Sequence, residues 1–421
     1  MSDCCAINDK KENQLMVIWD LGRKCTFACS YCPPHRKNNW SDTANLDELI
    51  STAKGLERYH NTYNKHRHEP FKLSASFTGG EPTVNPAFFK FLTYLQEHYP
   101  HWKRTLTTNG FYSERKLRTV MANTDFTTVS WHCEATPSQK SRVRENLRIM
   151  HEEGYGFKVN VMFHAHEEYF DECVELCAWL DERGIGYTPR IIGDEGNAKV
   201  GLVARTVHEY TEEQMAWMKA FWDNKKKPKV VETFKPTQQP PPGVMGMIVN
   251  EPPKPKKVVG QTLGRPCCGG RPMEIKTDDG WERSDLLPTN NFQGWSCMVN
   301  WYFLYIHQEI DQVWHHQTCQ VNLDGEVGPI CKASELDQWC DKLDNIIETT
   351  GTMPYIRCPK THCGCGMCTP KAKSDEDAAI LFRSHSILEP QFATEFKEVT
   401  RPLTLKTMVL AFDKENGNET I

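Results

Sequence analysis

The sequence predicts an α/β protein: a partial (β/α)6 TIM-type barrel followed by a small cysteine-rich metal-binding domain. Three observations carry this. Strand-like and helix-like segments alternate six times over roughly the first 195 residues, the pattern of a parallel sheet with helical crossovers. A stretch holding KKKPK, QQPPPG and EPPKPKK then breaks the pattern with a composition that cannot pack a core. Beyond it cysteines crowd together, from Cys267 and Cys268 to Cys368. A doubly wound open sheet is the alternative for the first half, because periodicity alone does not separate it from a barrel.

The elements follow in order. Leu15–Leu21 (LMVIWDL) is an apolar run before Gly22 and reads as a buried strand. Asn45–His60 spaces Leu46, Leu49, Ile50, Ala53 and Leu56 as one helical face. Phe71–Thr78, Arg104–Thr108, Thr127–His132 and Phe157–Phe163 read as further strands. Pro86–Glu97, Ser113–Ala122, Ser138–Glu153 and Tyr169–Arg183 read as the helices between them, the last stopped at Gly184. Ile185–Ile192 closes the series, and Thr211–Asp223 is a further helix. The domain plan is a polar tail over 1–14, the barrel over 15–223, a linker or long loop over 224–260, the cysteine-rich domain over 261–370 and a tail over 371–421. The tail has a helical stretch near Glu376–Arg383 and a possible edge strand at Leu403–Phe412, before a disordered end.

Composition narrows the function classes. Of 421 residues 39% are hydrophobic and 25% charged, which suits a soluble globular core. A net charge of −5 gives no general case for nucleic-acid binding. No run approaches the apolar length that a membrane helix requires. The polar first residues do not read as an export signal, so a cytoplasmic, reducing setting is expected. There, 18 cysteines point to metal ligation before disulfides. Cys4 and Cys5 read as mobile thiols, and Cys173 and Cys177, one helical turn apart, as core thiols.

Chemistry concentrates just after strands, where a barrel of this type presents its loops. Cys25, Cys29 and Cys32 lie within eight residues, spaced C-x3-C-x2-C. Thiolates are soft ligands, suited to iron–sulfur clusters and to zinc. Three of them on a cubane cluster leave one iron without a protein ligand, open to a small molecule. After the second strand come Gly79–Gly80–Glu81–Pro82, where two glycines permit close backbone approach to a ligand. The third strand ends in Asn109–Gly110, a turn signal. Alternation puts Ser130 and His132 on one face of the fourth strand, and Arg190 ends the sixth. His132 reads equally well as a structural histidine, and Arg190 as a surface ion-pair partner.

The cysteine spacing, with Tyr31 before the third cysteine, resembles the signature of the radical S-adenosylmethionine (radical SAM) superfamily, and GGEP after the next strand resembles its second motif. The resemblance implies a [4Fe–4S] cluster on Cys25, Cys29 and Cys32. It implies S-adenosylmethionine contacts at Gly79, Gly80, Glu81, Pro82, Asn109, Ser130, His132 and Arg190. The implied chemistry is reductive cleavage of S-adenosylmethionine to a 5′-deoxyadenosyl radical that abstracts hydrogen from a substrate. No catalytic acid or base stands out.

In the second half, Cys319–Cys331 (CQVNLDGEVGPIC) reads as a hairpin about Asp324–Gly325. It resembles the hairpin of the SPASM/twitch extensions of the same superfamily, which implies an auxiliary iron–sulfur cluster. Its ligands would come from Cys297, Cys319, Cys331, Cys358, Cys363, Cys365 and Cys368, while Cys340 reads as a helix core residue. The spacing departs from the SPASM pattern: Cys297 to Cys319 is long, and Cys267–Cys268 has no equivalent. Zinc is the rival metal. Relatives with such extensions mostly modify peptides or proteins, so a peptide is the expected substrate, with a nucleobase or small molecule as the alternative. A flavodoxin- or ferredoxin-like reductant is the implied partner. A non-catalytic zinc-binding interaction protein is the reading from another class, and GGEP and the six-fold alternation speak against it.

Overall fold

A computed structural model of the chain describes residues 14–32, 39–67, 69–192, 210–226, 274–277, 280–283, 292–316, 319–351, 353–361, 371–372, 374 and 378. Cys4, Cys5, Cys267, Cys268, Cys363, Cys365 and Cys368 lie outside them. So do most of the proline-rich stretch and of the expected tail elements.

The alternation becomes β1 (Gln14–Asp20), α1 (Leu46–Lys65), β2 (Lys72–Thr78), α2 (Phe88–His98), β3 (Lys103–Thr108), α3 (Glu114–Asn123), β4 (Phe126–His132), α4 (Pro137–Glu152), β5 (Phe157–Phe163), α5 (Glu167–Glu182) and β6 (Tyr187–Ile191). Local chemistry sets the helix starts. Asn45 and Glu48 form a reciprocal capping box before α1, and Thr136 and Gln139 do so before α4.

Strands β1 to β6 stand side by side in sequence order, every neighbouring pair parallel. A doubly wound sheet would reverse direction at a switch point. None occurs here, so the fold is a partial barrel. One sheet face carries Val17, Trp19, Phe77, Val129, Trp131 and Val161, all buried. Trp19 and Phe77 meet Phe91 of α2 edge-on, which seats this face against the helices. The alternate face is half-exposed and polar, with Ser76, Thr105, Thr107, Ser130 and Asn160 along it. A barrel of this kind therefore keeps its apolar side outward under helices and lines its lumen with hydroxyls and amides.

The sheet has eight strands because two more come from far along the chain. β10 (Phe303–His307) pairs parallel with β1, and β11 (Gln312–Trp314) pairs antiparallel with β10. The long interval between Cys297 and Cys319 is used to build them. Before these strands come the hairpin β7 (Glu274–Thr277) and β8 (Gly280–Arg283), then β9 (Ser296–Cys297) and the short helix α7 (Val299–Tyr302). After them, α8 (Leu336–Thr350) packs along α1 at Gly55, where an added Cβ would lie 2.9 Å from the Asp337 backbone nitrogen. β12 (Ile356–Arg357) and β13 (Lys371–Ala372) flank β9 in a small antiparallel sheet. Buried Arg67, after α1, lies over the Phe71 ring and donates to the Trp301 carbonyl, tying α7 to the barrel.

The segment Glu209–Val258 forms a second compact unit, whose described part is α6 (Glu212–Lys226). Among the described residues no helix is long and apolar enough to cross a membrane.

His315, just after β11, is fully buried, and neither ring nitrogen has a partner. Burial pushes its pKa down to about 3. The unfolded chain then binds a proton that the folded chain refuses, so stability falls as pH drops below the ordinary histidine value towards 3. His315→Leu is expected to shrink the stability difference between pH 7 and pH 5 by up to about 2 kcal/mol, read from urea unfolding at both pH values.

Candidate metal centre

The three-cysteine loop leaves the C-terminal end of β1. Asp20, the last residue of that strand, accepts from the Gly22 amide through Oδ1 (3.0 Å) and from the Tyr305 hydroxyl of β10 through Oδ2 (2.9 Å). The indole of Trp19 donates to Gln308 (3.0 Å), and Arg23 lies 3.6 Å from Glu309. The root of the loop is thus held by the strand that arrives from the C-terminal region.

Within the loop Cys25, Cys29 and Cys32 are half-buried. The Cys25 amide donates to Asn39 Oδ1 (3.1 Å), the Phe27 amide to Cys25 Sγ (3.4 Å), and the Cys32 amide to the Cys29 carbonyl (3.2 Å). Burial pushes the Cys29 thiol up to about 12, against an opposing hydrogen bond from Tyr31. Deprotonation there requires a cation to take the charge.

The glycine turn after β2 docks onto this loop. The Gly80 amide donates to the Gly22 carbonyl (2.6 Å) and the Glu81 amide to the Lys24 carbonyl (2.7 Å). Gly79 has φ +137°, and an added Cβ would fall 2.6 Å from the Gly22 oxygen. At Gly80 it would fall 2.4 Å from the Lys24 oxygen, so no larger residue fits without moving the cysteine loop. These amides are spent on protein, which leaves the turn's carbonyls as its means of meeting a ligand.

Glu81 is buried, and protein donors surround its carboxylate. Oε1 accepts from the Thr83 amide (3.1 Å), the Thr83 hydroxyl (2.7 Å) and the Thr108 hydroxyl (2.8 Å), while Oε2 accepts from the Asn109 amide (2.6 Å). Burial raises its pKa, and these donors oppose the shift. Pro82 starts the short 3-10 turn Pro82–Val84. Asn109 reaches from the end of β3 to Thr26 through Nδ2 (2.9 Å) and caps Phe111 through Oδ1 (2.9 Å). Glu81 and Asn109 therefore knit the ends of β2 and β3 to the cysteine loop.

The structure brings His132 to the far side of that loop. Its Nδ1 lies 2.6 Å from the Tyr31 hydroxyl, the two rings stack, and Phe27 meets the imidazole edge-on. Burial lowers its pKa to about 4, with Glu134 opposing. Ser130 lies on the lumen face, level with Asn160, whose Oδ1 is buried without a partner. Arg190, on β6, stands level with Met162 of β5 and, across it, with His132 of β4.

Two contributors escaped the sequence reading. Glu134 accepts from both the amide and the hydroxyl of Ser30, each at 2.5 Å, and so pins the loop between Cys29 and Cys32. Asn160 is the second. Position after a strand end was available as a signal for Glu134; nothing local marked Asn160.

In the C-terminal region Val321 bridges to Val327 across the Asp324–Gly325 turn, which gives the expected hairpin. Cys319 precedes it, and Cys331 follows it beside Val313 of β11. Cys297 is on β9, while the Cys358 amide donates to the Trp295 carbonyl beside that strand (2.9 Å). No three of these thiols converge within 4.8 Å among the described residues. Cys340 is buried in α8 and donates to the Leu336 carbonyl (3.1 Å). Cys173 and Cys177 are buried in α5.

Glu81→Gln keeps the shape but replaces an acceptor with a donor that faces other donors. It is expected to destabilise the chain by about 2–3 kcal/mol, measured as a lower urea midpoint with unchanged slope.

Residues 19–180 match the family model of the radical SAM superfamily. No curated protein matches the chain in sequence. The crystal structure of Streptococcus suis SuiB bound to precursor peptide SuiA resembles it with a TM-score of 0.37 and 14% identity, over 51% of this chain and 46% of that one. The chain thus spans about half the length of SuiB. Native anSMEcpe with bound AdoMet gives a TM-score of 0.43 and 13% identity, over 91% of this chain and 99% of that one. The same protein with AdoMet and the Cp18Cys peptide gives 0.42 and 13%, over 92% and 99%. Likeness at this level says nothing of substrate. The segment that matches this family model begins on β1, includes the cysteine loop and the glycine turn, and runs into α5.

Proposed function

We propose that the chain is a radical SAM enzyme in which Cys25, Cys29 and Cys32 hold a [4Fe–4S] cluster. The observation that carries this is the backbone docking of Gly80 and Glu81 onto the carbonyls of Gly22 and Lys24, which holds the three-thiol loop at the mouth of the barrel. The donor set fits the group. Three half-buried thiols on one loop, spaced C-x3-C-x2-C, supply three soft ligands and leave one cluster iron without a protein ligand. The Cys29 thiol, its pKa raised by desolvation, would lose its proton on binding the cluster. When bound, the cluster supplies the electron that cleaves S-adenosylmethionine to methionine and a 5′-deoxyadenosyl radical, which takes a hydrogen atom from the substrate.

The chain's own residues bind, orient and shield. The carbonyls of Gly79 and Gly80 are the groups that would accept from the amino group of S-adenosylmethionine, because the turn's amides are engaged. Glu81 and Asn109 act by holding the turn and the loop at a fixed distance. His132 backs the loop from β4 through its contact with Tyr31, and Phe27 and Phe111 exclude water beside it. Ser130 faces the lumen with Asn160 and would take polar groups of the cofactor, with Arg190 for its carboxylate. We assign a peptide or protein as the substrate class. The support is the cysteine-rich extension with its hairpin, which resembles those of peptide-modifying relatives. Cys297, Cys319, Cys331 and Cys358, with Cys363, Cys365 and Cys368, are the proposed pool of ligands for an auxiliary cluster. A small ferredoxin or flavodoxin would supply electrons.

The test is anaerobic reconstitution followed by dithionite and S-adenosylmethionine. The wild-type chain is expected to hold about four irons at the first site, more with an auxiliary cluster, and to release 5′-deoxyadenosine. Cys25→Ala, Cys29→Ala or Cys32→Ala should lose about four irons and all of that product. Full product formation by any of the three would refute the assignment. With peptide libraries deuterated at Cα or Cβ, deuterium transfer into 5′-deoxyadenosine tests the substrate class.

A further inference from the structure

At the opposite end of the sheet from the cysteine loop, where β2 and β3 begin, three side chains converge. Glu57 and His60 lie one turn apart on α1, and His101 lies in the turn between α2 and β3. One ligand atom of each falls within 4.8 Å of the others, the only such set of three among the described histidines, cysteines and acids.

The decisive observation is the state of His60. It is 6% exposed. Its Nε2 lies 2.6 Å from the Phe71 carbonyl. A carbonyl only accepts, so Nε2 carries the proton and Nδ1 holds a lone pair; Asn64 Nδ2, 2.9 Å from the same Nε2, donates to the Phe71 carbonyl instead. That Nδ1 is buried and has no partner. A buried acceptor left without a donor is costly. Donation of the second ring N–H to a backbone carbonyl is how proteins orient metal-binding histidines. Asn64 fixes the same carbonyl through Nδ2 (2.9 Å) and the Phe71 amide through Oδ1 (2.9 Å), so the acceptor that orients the imidazole is itself held. Burial also lowers the pKa of His60, which keeps the imidazole neutral.

Glu57 is prepared in the same way. The Trp102 indole donates to its Oε2 (2.7 Å), while Oε1 lies 3.2 Å from His101 Nε2. His101 is exposed, so its ring can rotate to turn a nitrogen toward the other two side chains. Two imidazoles and a carboxylate make a zinc-type donor set that leaves a position for water. Glu57 also borders an open cavity of about 390 Å³ beside Lys54 and Tyr99. The cations Arg58 and Lys65 at that cavity are offset by Asp341 and Glu348.

We propose that Glu57, His60 and His101 bind one divalent ion of the zinc class, which fastens α1 to the entry of β3. The strand N-terminal end is the stabilising face of a barrel, which sets this ion apart from the cluster chemistry.

The experiment uses the full chain with its iron–sulfur sites reconstituted, and cobalt(II) as the probe. Wild type is expected to retain about one cobalt per chain, with d–d absorption and no thiolate-to-cobalt charge-transfer band. His101→Ala, an exposed change that leaves the helix intact, should weaken cobalt binding by about tenfold or more. Cobalt or zinc should raise the melting temperature of wild type and leave that of His101→Ala unmoved. Three outcomes would overturn the proposal: no cobalt retained by wild type with full iron content, cobalt carrying only the thiolate band, or equal binding by His101→Ala. Production of 5′-deoxyadenosine is scored separately and is expected to persist in the variant, so failure here is distinct from failure of the radical assignment.

Discussion

The structure depends on a contact with no side chain in it. Two amides after β2 donate to two carbonyls after β1, and the missing Cβ atoms of Gly79 and Gly80 let the backbones meet. Backbone contacts of this kind do not constrain the side chains of the partner loop, so that loop is free to present three cysteines in eight residues. Everything else near the site holds this contact in place. Glu81 collects donors from its own turn and from the end of β3, Asn109 extends to Thr26, and Glu134 catches Ser30. Each comes from just beyond the C-terminal end of a different strand, so the parallel sheet serves as the ruler that sets their spacing.

The second constraint is on the edge of the sheet. Without a further partner β1 would be an exposed edge strand, with unpaired backbone groups beside the three-cysteine loop. β10 covers it in parallel register, and β11 then covers β10. The same strand carries Tyr305 to Asp20, and the turn after it carries Gln308 to Trp19 and Glu309 to Arg23. The cysteine-rich region therefore touches the root of the first cysteine loop through hydrogen bonds and an ion pair.

The two ends of the barrel divide the work. At the C-terminal ends of the strands, backbone docking and shared hydrogen bonds place thiols. At the N-terminal ends, Glu57, Trp102 and the fixed Phe71 carbonyl prepare two imidazoles. Between them lies a lumen face of small polar residues, while the apolar face is packed under helices by Trp19, Phe77 and Phe91.

Much of this was legible in the chain itself. Strand and helix limits fall within a few residues of where alternation and helical spacing put them, because each face has one side to bury. Cys25, Cys29 and Cys32 and the glycine turn were readable because their meaning lies in local spacing. Tertiary structure alone decided the rest. Periodicity can mark a buried strand without naming its partner, and the parallel pairing of β10 with β1 spans almost three hundred residues. Glu81 was visible as part of a motif, yet its ring of donors comes from Thr83, Thr108 and Asn109, which only the adjacency of β2 and β3 brings together. His60 and His101 were two unremarked histidines. Helical spacing pairs His60 with Glu57, but His101 joins them only because α2 folds back to start β3 beside α1. The sequence determined which residues carry chemistry and on which element; the fold decided which of them meet, since meeting depends on contacts between segments that no local pattern encodes.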